Sequence, residues 1–446
     1  MLKLKAARRI GGNVTVPGDK SIAHRAALLS ILARGPVTIR NWPDNEDCNR
    51  SLEAARQFGV TIAGNNDTLA LAPPERPTLL PDTIIECGNS GTTARLLTGL
   101  IAGSNVSAIL SGDDSLSSRP MTRIIDPLAA MGADVFATGG HVPIRIAGKR
   151  LLPFEYRLQV PSAQVKSALL LAGLASHCTV TVREDMITRD HTENMIAALG
   201  DGISVREVKA QYVPDPDDPR RKKTVVSESF KREICLTGQA HVEGGAVDIP
   251  GDISTAAFFF ALAAMAGKTI AIPRVGLNPT RTGILEHLKA IGCQVVIEGK
   301  SVVSGEPRGN VIVTGSNLKA RRLHGETVVE LIDEIPIVAV MAAMADGTTV
   351  IRDARELRHK ESDRLLAVAE NLQRMGVKCG LLEDGLAIEG GRELQGADLK
   401  TYGDHRIAMA FAIAAQFAVG PSTLDDESVI GVSCPTFFDL LRTVAS

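Results

Sequence analysis

Two stretches of the chain share one sequence pattern and differ in charge. The pattern is Pro-Gly-Asp followed by an apolar segment, and we call it the Pro-Gly-Asp frame. The first, VPGDKSIAHRAALLS at residues 16–30, runs from a Pro-Gly-Asp turn into an apolar segment that also contains lysine, histidine and arginine. The second, IPGDISTAAFFFALAAMAG at residues 249–267, has the same start without basic residues. The first copy keeps only the final Lys-Ser of a phosphate-binding P-loop, so it is not a P-loop. The frame therefore indicates an internal duplication in which one copy carries the charge.

The frame belongs to a unit that recurs along the chain. In each copy a small or polar residue precedes an apolar helix rich in small side chains, and short β-rich stretches surround it. These helices are apolar on nearly every face, which predicts that they are buried. Asp, Ser and Asn at their starts are favourable N-caps. The six starts are Asp19, Asn89, Ser162, Asp252, Asp333 and Asp404.

The two Pro-Gly-Asp frames divide the six units into two sets of three. We therefore predict an α/β fold of two similar domains, each built from three units of strands around two helices. One domain is discontinuous and comprises residues 1–18 and 251–446, and the other comprises 19–250. The hinge is expected near 17–20 and 249–252. The polar, proline-containing segment 212–233 is interpreted as a solvated insertion or hairpin tip in the third unit.

Composition excludes several classes of function. The chain has 446 residues and a net charge of −2, so no basic field points to nucleic acid. Its seven cysteines form no C-x-x-C or Cys/His cluster, which predicts reduced thiols and no metal site. The N-terminus lacks the apolar core of a secretory signal, and the apolar runs are too short to span a membrane. We expect a cytoplasmic protein.

Cationic and polar side chains lie at or near the helix starts. Helix N-termini carry partial positive charge, so several starts facing one space would attract anions. A second interpretation stays open, because capped buried helices are also a general way to build α/β proteins. The side chains that favour an anion site are Lys20, Ser21, Arg25, Arg95, Arg119, Gln164, Lys166, Arg189 and Arg406.

The stretch LRHKESDRLLAV concentrates charge most strongly. Lys360 and Arg364 are four residues apart, and on one helix face this like-charge pair would cost stability unless an anion lay between them. The alternative is that Glu361 and Asp363 neutralise the pair on an exposed face. We favour the ligand interpretation, because arginine with lysine suits carboxylates and phosphates.

Two acids are candidates for proton transfer. Asp333 is either the N-cap of its helix or a general base that faces the cations. Glu361 is either an acid–base group or the partner of Lys360. The histidines at 24, 191 and 405 rank below them, because a lone histidine is more often a packing residue.

Nine ordered motifs resemble the 5-enolpyruvylshikimate-3-phosphate synthase family, with details of its class II bacterial branch. They are PGDKSIAHR, GNSGTTARLL, SLSSRPM, SAQVKSALLLAGL, TRDHTE, NPTRTG, IDEIPI, LRHKESDR and GDHRIAMA. The resemblance implies the enolpyruvyl transferase fold, in which each domain holds three βαβαββ units as an inside-out α/β barrel. It also implies transfer of the enolpyruvyl group of phosphoenolpyruvate to the 5-hydroxyl of shikimate-3-phosphate, with release of phosphate.

The resemblance also implies a set of site residues, with no metal or cofactor. Asp333 is expected to take the hydroxyl proton, and Glu361, assisted by Lys20, to act at the methylene carbon. The shikimate-3-phosphate site would comprise Lys20, Ser21, Arg25, Ser162, Ala163, Gln164, Arg189, Asp333 and Lys360. The phosphoenolpyruvate site would comprise Lys20, Asn89, Gly91, Arg119, Gln164, Arg364 and Arg406. Glyphosate is a possible inhibitor, and we expect a monomer.

Some residues depart from the family pattern. Ser433 and Cys434 occupy the segment where many members carry a lysine, and Ala163 stands where other branches have a second serine. The nearest alternative is the UDP-N-acetylglucosamine enolpyruvyl transferase, which has Lys-Asn at the first helix and a cysteine on its lid loop. The stretch SGDDSLSSRPM contains no cysteine, which favours the shikimate enzyme. A non-catalytic binding member of the fold would be expected to lack Asp333 or Glu361.

Overall fold

The computed structural model of the chain describes residues 1–65, 67–80, 82–208, 211–214, 222–225 and 229–446. Its buried apolar side chains form two clusters. One contains residues from Ile22 to Ile249, and the other joins Leu4, Val14 and Val16 to residues from Ile253 to Ala445. We call the regions around these clusters the middle domain and the terminal domain. The terminal domain contains both chain ends.

The middle domain follows two short strands, β1 (Leu2–Leu4) and β2 (Gly12–Asn13). Its first unit consists of α1 (Lys20–Leu32), β3 (Val37–Arg40), α2 (Glu46–Gln57), β4 (Thr61–Asn65) and β5 (Thr68–Ala72). The second consists of β6 (Ile84–Glu86), α3 (Gly91–Gly103), β7 (Ser107–Ser111), α4 (Asp114–Ser117), α5 (Thr122–Ala130), β8 (Asp134–Ala137) and β9 (Ile144–Ala147). The third, with the strand that follows it, consists of β10 (Phe154–Arg157), α6 (Ala163–Ser176), β11 (Val180–Glu184), α7 (His191–Leu199), β12 (Gly200–Glu207), β13 (Gln211–Pro214), β14 (Lys222–Val225), β15 (Arg232–Val242) and β16 (Gly245–Asp248).

The terminal domain continues the same order of elements. Its first unit consists of α8 (Ile253–Ala266), β17 (Thr269–Gly276), α9 (Gly283–Ala290), β18 (Gln294–Val303) and β19 (Glu306–Thr314). The next consists of β20 (Arg322–Leu323), α10 (Glu326–Glu330), α11 (Ile335–Met344), β21 (Thr348–Ile351), α12 (Arg364–Arg374), β22 (Lys378–Leu382) and β23 (Gly385–Glu389). The last consists of β24 (Asp398–Leu399), α13 (His405–Ala414), β25 (Ser422–Leu424) and α14 (Phe437–Val444).

Five of the sheets repeat one topology. Their orders are β16–β3–β5–β4, β6–β7–β9–β8, β10–β11–β15–β12, β2–β17–β19–β18 and β20–β21–β23–β22. In each, the first pair is parallel and the other two pairs are antiparallel, as a βαβαββ unit requires. The predicted two-domain α/β fold of repeated units is confirmed.

The chain ends modify this pattern. The leading strand of the first unit is β16, from the end of the middle domain, and that of the fourth unit is β2, from the N-terminus. The sixth sheet has three strands, β1–β25–β24, where a full βαβαββ unit was predicted. After β25 the chain forms a 3₁₀ turn at Ser428–Val432 and the last helix, so the antiparallel neighbour of β25 comes from β1.

The predicted insertion at 212–233 lies partly within the described residues. There, β13 and β14 pair antiparallel, as the arms of a hairpin do. Residues 215–221 and 226–228 of this segment lie outside the described residues.

The structure also bears on disulfide bonds, metal sites and membrane-spanning helices. All seven cysteines are free, and only Cys235 is half-buried rather than buried. In the part of the chain that the structure describes, no group of three or more His, Cys, Asp and Glu side chains is placed to hold a metal ion. Among the same residues, no helix combines the length and apolar character needed to cross a membrane.

The apolar helices are buried and begin where the repeat predicts. Four of the six predicted starts have a side chain that accepts a hydrogen bond from a first-turn N–H group, namely Asp19, Ser162, Asp252 and Asp404. At α3 the prediction of Asn89 is one residue early, because the capping side chain is that of Ser90. The prediction that Asp333 could be the sixth cap is wrong. There the helix begins at Ile335, its N-cap is Glu334, and no side chain caps it. Asp333 therefore has its carboxylate free for other partners.

The two Pro-Gly-Asp frames meet each other where the chain crosses between the domains. Gly18 and Gly251 form an antiparallel bridge. Asp19 N donates to Pro250 O at 2.8 Å, and Asp252 N donates to Pro17 O at 2.9 Å. A Cβ on Gly18 would lie 2.1 Å from the carbonyl oxygen of Asn41. The backbone at Gly18 and the backbone at Asn41 are therefore too close for any residue but glycine at position 18.

Substituting Gly18→Ala is expected to lower the free energy of unfolding by about 2–3 kcal/mol, because the backbone must move to relieve the overlap. Urea unfolding would measure the loss. Gly276→Ala is the matched control, since its Cβ would meet neighbours at 3.5 Å in the same crossover region. Equal stability of the two variants would contradict the prediction.

Candidate active site

A cleft of about 780 Å³ lies between the two domains. This volume is in the range that binds small molecules. The predicted site residues that line it are Lys20, Ser21, Gly91, Arg119, Ser162, Ala163, Gln164, Arg189, Asp333, Lys360, Glu361, Arg364 and Arg406. The first eight come from the middle domain and the last five from the terminal domain, so both domains are needed to form the cleft.

Two predicted site residues, Arg25 and Asn89, do not line the cleft and instead lie behind residues that do. Arg25 is buried, and its guanidinium donates to Thr192 Oγ1 at 2.7 Å, Ser167 Oγ at 2.8 Å and Ser21 O at 3.0 Å. Burial lowers the pKa of Arg25 to about 10, with nearby Arg189 acting in the same direction. Asn89 supports Arg119, accepting from its guanidinium through Oδ1 at 2.5 Å and through its backbone oxygen at 3.3 Å. Both residues thus hold lining residues in place.

Asp333 is the meeting point of cations from both domains. Its carboxylate lies 2.5 Å from Arg189 of the middle domain, and 3.4 Å, 3.7 Å and 4.0 Å from Arg364, Arg406 and Lys360 of the terminal domain. Burial alone would raise the pKa of Asp333, but the surrounding cations, Arg406 foremost, hold it well below its usual range. This carboxylate is therefore ionised among its cationic partners.

Glu361 makes a second ionic link across the cleft. Its carboxylate lies 2.6 Å from Arg364 and 3.6 Å from Arg119 of the middle domain. Burial opposes ionisation, yet Arg364 and Arg119 keep the pKa of Glu361 well below its ordinary value. Arg364 contacts both Glu361 and Asp333, so the two candidate acid–base groups share one guanidinium.

Lys20 begins α1 and points to a carboxylate that the sequence did not single out. Its Nζ lies 2.7 Å from Asp47 Oδ2. Burial lowers the pKa of Lys20, but Asp47 more than offsets this, and the net shift is upward. Asp47 lies within α2 and no local motif distinguishes it, because its partner is 27 residues away.

The helix-face interpretation of Lys360 and Arg364 is wrong. Lys360 has extended backbone after a 3₁₀ turn at Arg355–His359, and α12 begins only at Arg364. The two cations nevertheless converge on one anion, which is the carboxylate of Asp333. The proposed pairing of Glu361 with Lys360 is replaced by a 3.3 Å contact from Lys360 Nζ to Glu356.

The predictions for two further cations have opposite outcomes. Lys166 was grouped with the anion-binding side chains, but it is fully buried between Glu184 at 3.0 Å and Glu193 at 2.7 Å and does not line the cleft. Arg95 does line the cleft and donates to Gln164 Oε1 at 2.9 Å. Burial, with Arg123 close by, lowers the pKa of Arg95 to about 9.

Several lining residues were missed by sequence reasoning. Among them are Asp47, Arg123, Arg281 and Glu356. A helix-start criterion finds only residues next to the caps, so these side chains, which reach the cleft from elsewhere, were not detected. Asp252 and His405 also line the cleft, although Asp252 was considered only as a cap and His405 only as a packing histidine. Burial, followed by nearby Lys20, keeps the pKa of His405 well below its usual value.

Cations from two domains that surround two ionised carboxylates in one cleft define a class of protein. It is a two-domain α/β enzyme with an interdomain site for anionic small molecules. Comparison with known proteins identifies the family. The family model described as EPSP synthase (3-phosphoshikimate 1-carboxyvinyltransferase) matches residues 4–229 and 220–441. The chain belongs to the EPSP synthase family.

Relatives and solved structures agree with this assignment. The chain is 41% identical over 447 residues to the 3-phosphoshikimate 1-carboxyvinyltransferase of Geobacter metallireducens, covering 99% of each chain. It is 43% identical over 435 residues to that of Anaeromyxobacter sp. strain Fw109-5, covering 96% of this chain and 95% of the relative. An EPSP synthase structure from Acinetobacter baumannii has a TM-score of 0.81 and 35% identity, covering 99% of this chain and 97% of that one.

The buried position of Lys166 leads to a stability prediction. Lys166→Met leaves Glu184 and Glu193 without their cation, and we expect a loss of about 3–5 kcal/mol near pH 8. Burial already raises the pKa of Glu184 against the opposing effect of Lys166. Without the lysine that pKa rises further, so Glu184 takes up a proton on acidification and the loss shrinks toward pH 5.

Urea unfolding between pH 5 and 8 would check this dependence. Lys289→Met is the comparison, since it removes an exposed lysine whose Nζ lies 2.8 Å from Glu286 and should cost at most about 1 kcal/mol. A Lys166→Met variant as stable as wild type at pH 8 would contradict the structural role.

Proposed function

We propose that the protein transfers the enolpyruvyl group of phosphoenolpyruvate to the 5-hydroxyl of shikimate-3-phosphate and releases phosphate, as a 3-phosphoshikimate 1-carboxyvinyltransferase of the shikimate pathway. The observation that supports this most strongly is the meeting of Arg189, Lys360, Arg364 and Arg406 on Asp333 in the interdomain cleft. Two polyanionic substrates must be brought together against their mutual repulsion, and cations on both walls oppose it.

The shikimate-3-phosphate end of the cleft is proposed at the starts of α1 and α6. Ser162 begins α6, so the unpaired N–H groups of that helix face a phosphate favourably. Ser21 lies in the first turn of α1, and Arg25 steadies it through its backbone oxygen. The remaining contacts are proposed for Lys20, Ala163, Gln164, Arg189, Asp333 and Lys360.

The phosphoenolpyruvate end is proposed beside the start of α3. Gly91 lets a ligand approach the helix start closely, and Arg119 lies next to it. Arg364 and Arg406 approach from the opposite wall, which allows them to hold a carboxylate and a phosphate together. Lys20 and Gln164 complete the proposed contacts, with Asn89 supporting Arg119 from behind.

Asp333 is proposed as the base that removes the proton of the 5-hydroxyl group. Surrounded by these cations, Asp333 has a pKa too low for efficient proton abstraction, because ion pairing stabilises its carboxylate. Anionic substrates would compete for these cations, and each cation withdrawn raises the pKa of Asp333. Substrate binding would thus turn an ion-pair partner into a base.

Glu361 is proposed to deliver a proton to the methylene carbon of phosphoenolpyruvate, with Lys20 assisting. Because Arg364 and Arg119 keep Glu361 ionised, it can carry that proton only when anionic substrates draw these arginines away and raise its pKa. As the proton is delivered, the 5-oxygen bonds to the adjacent carbon, giving a tetrahedral adduct. Glu361 then takes a proton back from the former methylene carbon as the bond to phosphate breaks, and the proton held by Asp333 leaves with the phosphate. The two proton transfers occur at different atoms, so we propose a separate group for each.

We also propose an oligomeric state, a cellular compartment and an inhibitor for this enzyme. One chain supplies both walls of the cleft, so a monomer suffices for activity. The free thiols of all seven cysteines suit the reducing cytoplasm. Glyphosate is proposed to occupy the phosphoenolpyruvate place beside Gly91.

Phosphate release from shikimate-3-phosphate plus phosphoenolpyruvate tests the proposed function. Wild type should release phosphate only with both substrates present. Asp333→Asn keeps the shape of the side chain but removes the base, and turnover should fall at least about a thousandfold while the fold persists. Asp363→Asn, which alters a nearby helix cap, is the control for nonspecific damage. No release by wild type with both substrates bound would refute the assignment.

Gly91→Ala is expected to reduce glyphosate inhibition more than phosphoenolpyruvate use. The added Cβ would lie 2.6 Å from Arg95 Nη1 and 3.2 Å from Arg119 Nη1, so it narrows the space and displaces cations. We expect the inhibitory concentration of glyphosate to rise at least about tenfold and the KM for phosphoenolpyruvate to rise less. Gly380→Ala, whose Cβ has neighbours only near 3.9 Å, is the control. Unchanged inhibition would count against this placement.

A further inference from the structure

Arg281 is a buried cation placed where the two domains cross, and no step of the proposed reaction uses it. It lies in the connection between β17 and α9 and is 3% exposed. Its guanidinium donates to Asp19 Oδ2 at 3.1 Å and lies 3.6 Å from Asp252 Oδ1. These are the aspartates of the two Pro-Gly-Asp frames, so one arginine forms an ion pair with each of them.

Each of the two aspartates caps a helix and also contacts Arg281. Asp19 Oδ1 accepts from Ile22 N at 3.1 Å and caps α1, the helix that begins with Lys20, while Oδ2 faces Arg281. Asp252 Oδ1 accepts from Ser254 N at 2.7 Å and caps α8. Burial raises the pKa of Asp252, and the nearby carboxylate of Asp19 raises it further, whereas Arg281 lowers it. Arg281 therefore opposes the mutual repulsion of the two caps at the paired crossovers.

Arg281 also connects to the start of α11. Its Nη2 donates to Ser254 Oγ at 2.8 Å, and the hydroxyl of Ser254 donates in turn to Glu334 Oε1. Glu334 is the N-cap residue of α11 and directly follows Asp333. A continuous chain of polar contacts therefore runs from the start of α1, beside Lys20, to the residue beside the proposed base.

The same guanidinium is fixed from the middle domain by His191. Nη1 of Arg281 lies 3.4 Å from Nε2 of His191 and can only donate, so Nε2 accepts and the ring carries its hydrogen on Nδ1. That Nδ1–H donates to Glu306 Oε1 of the terminal domain at 2.8 Å. Arg281 thus has partners in both domains, as a residue that sets their relative position requires.

We propose that Arg281 is a positioning residue, which holds the domain crossovers together through Asp19 and Asp252 and so sets Lys20 against Asp333 across the cleft. This inference rests on the proposed function for its effect on turnover. Its effect on the crossovers does not depend on that function. Most residues proposed to hold shikimate-3-phosphate, such as Ser21, Ser162 and Gln164, belong to the middle domain, and only Asp333 and Lys360 come from the terminal domain. Binding of this substrate alone therefore depends less on the alignment of the domains than turnover does.

The test compares Arg281→Gln and Arg281→Lys with wild type. In Arg281→Gln, kcat for phosphate release should fall at least tenfold, while the Kd for shikimate-3-phosphate alone should stay within threefold. Arg281→Lys should recover part of kcat because it restores the charge. The control is Arg274→Gln, an exposed arginine near the same crossover whose guanidinium contacts Asp248, and it should match wild type.

A double variant separates positioning from stability. Arg281→Gln with Asp252→Asn removes one of the two repelling carboxylates and keeps a side chain that can cap α8. Thermal stability should recover, but kcat should stay low because the polar connection to Lys20 and Asp333 is still broken. Wild-type kcat in Arg281→Gln or in the double variant would overturn the proposal.

Hydrogen exchange provides a readout without turnover. The amides of Asp19 and Asp252 donate across the crossovers, so peptides covering 17–22 and 250–255 should exchange at least tenfold faster in Arg281→Gln. Unchanged exchange would also overturn the proposal. If wild type and Arg274→Gln release no phosphate, the proposed function fails, and the exchange result alone then decides the role of Arg281.

Discussion

The antiparallel pairing of Gly18 with Gly251 is the constraint on which the two-domain arrangement depends. Both passages of the chain between domains run through this pair, and each passage leads directly into a buried helix. The close approach to Asn41 O leaves no room for a side chain at Gly18. Because the crossovers are joined, the starts of α1 and α8 lie side by side, and the cleft opens between the domains that these helices enter.

The electrostatics of the cleft follow from this placement. Cations from the middle domain, Arg119 and Arg189, reach carboxylates of the terminal domain, Glu361 and Asp333. In a partly buried space such pairs replace the hydration of the charged groups. In the proposed reaction, anionic substrates would compete for the same cations, and each cation drawn from Asp333 to a substrate would raise the basicity of that carboxylate. The proposal thus links binding to proton transfer through shared arginines.

The repeated unit made much of the fold predictable from the sequence. The ion-pair partners of individual charged residues were harder to predict. The six apolar helices follow from periodicity, but two of the six predicted starts do not cap them. Ser90 caps α3 in place of Asn89, and the capping alternative for Asp333 is wrong because α11 begins two residues later. Lys166 and Arg25 are spaced as site residues are, but Lys166 is enclosed by two glutamates and Arg25 lies behind Ser21. Asp47 and Arg281 were missed, since neither is at the start of an apolar helix.

The sequence by itself determined the class of fold, the duplication of the Pro-Gly-Asp frame and the family motifs, because these depend on local periodicity, capping and residue order. Which charges meet was decided only by the tertiary structure. Arg281 lies 262 residues from Asp19, and Asp333 lies 144 residues from Arg189. Contacts at such separations depend on how domains pack, and no local pattern encodes them. Lys20 of the first frame lines the cleft because the fold pairs this frame with the second one where the domains meet.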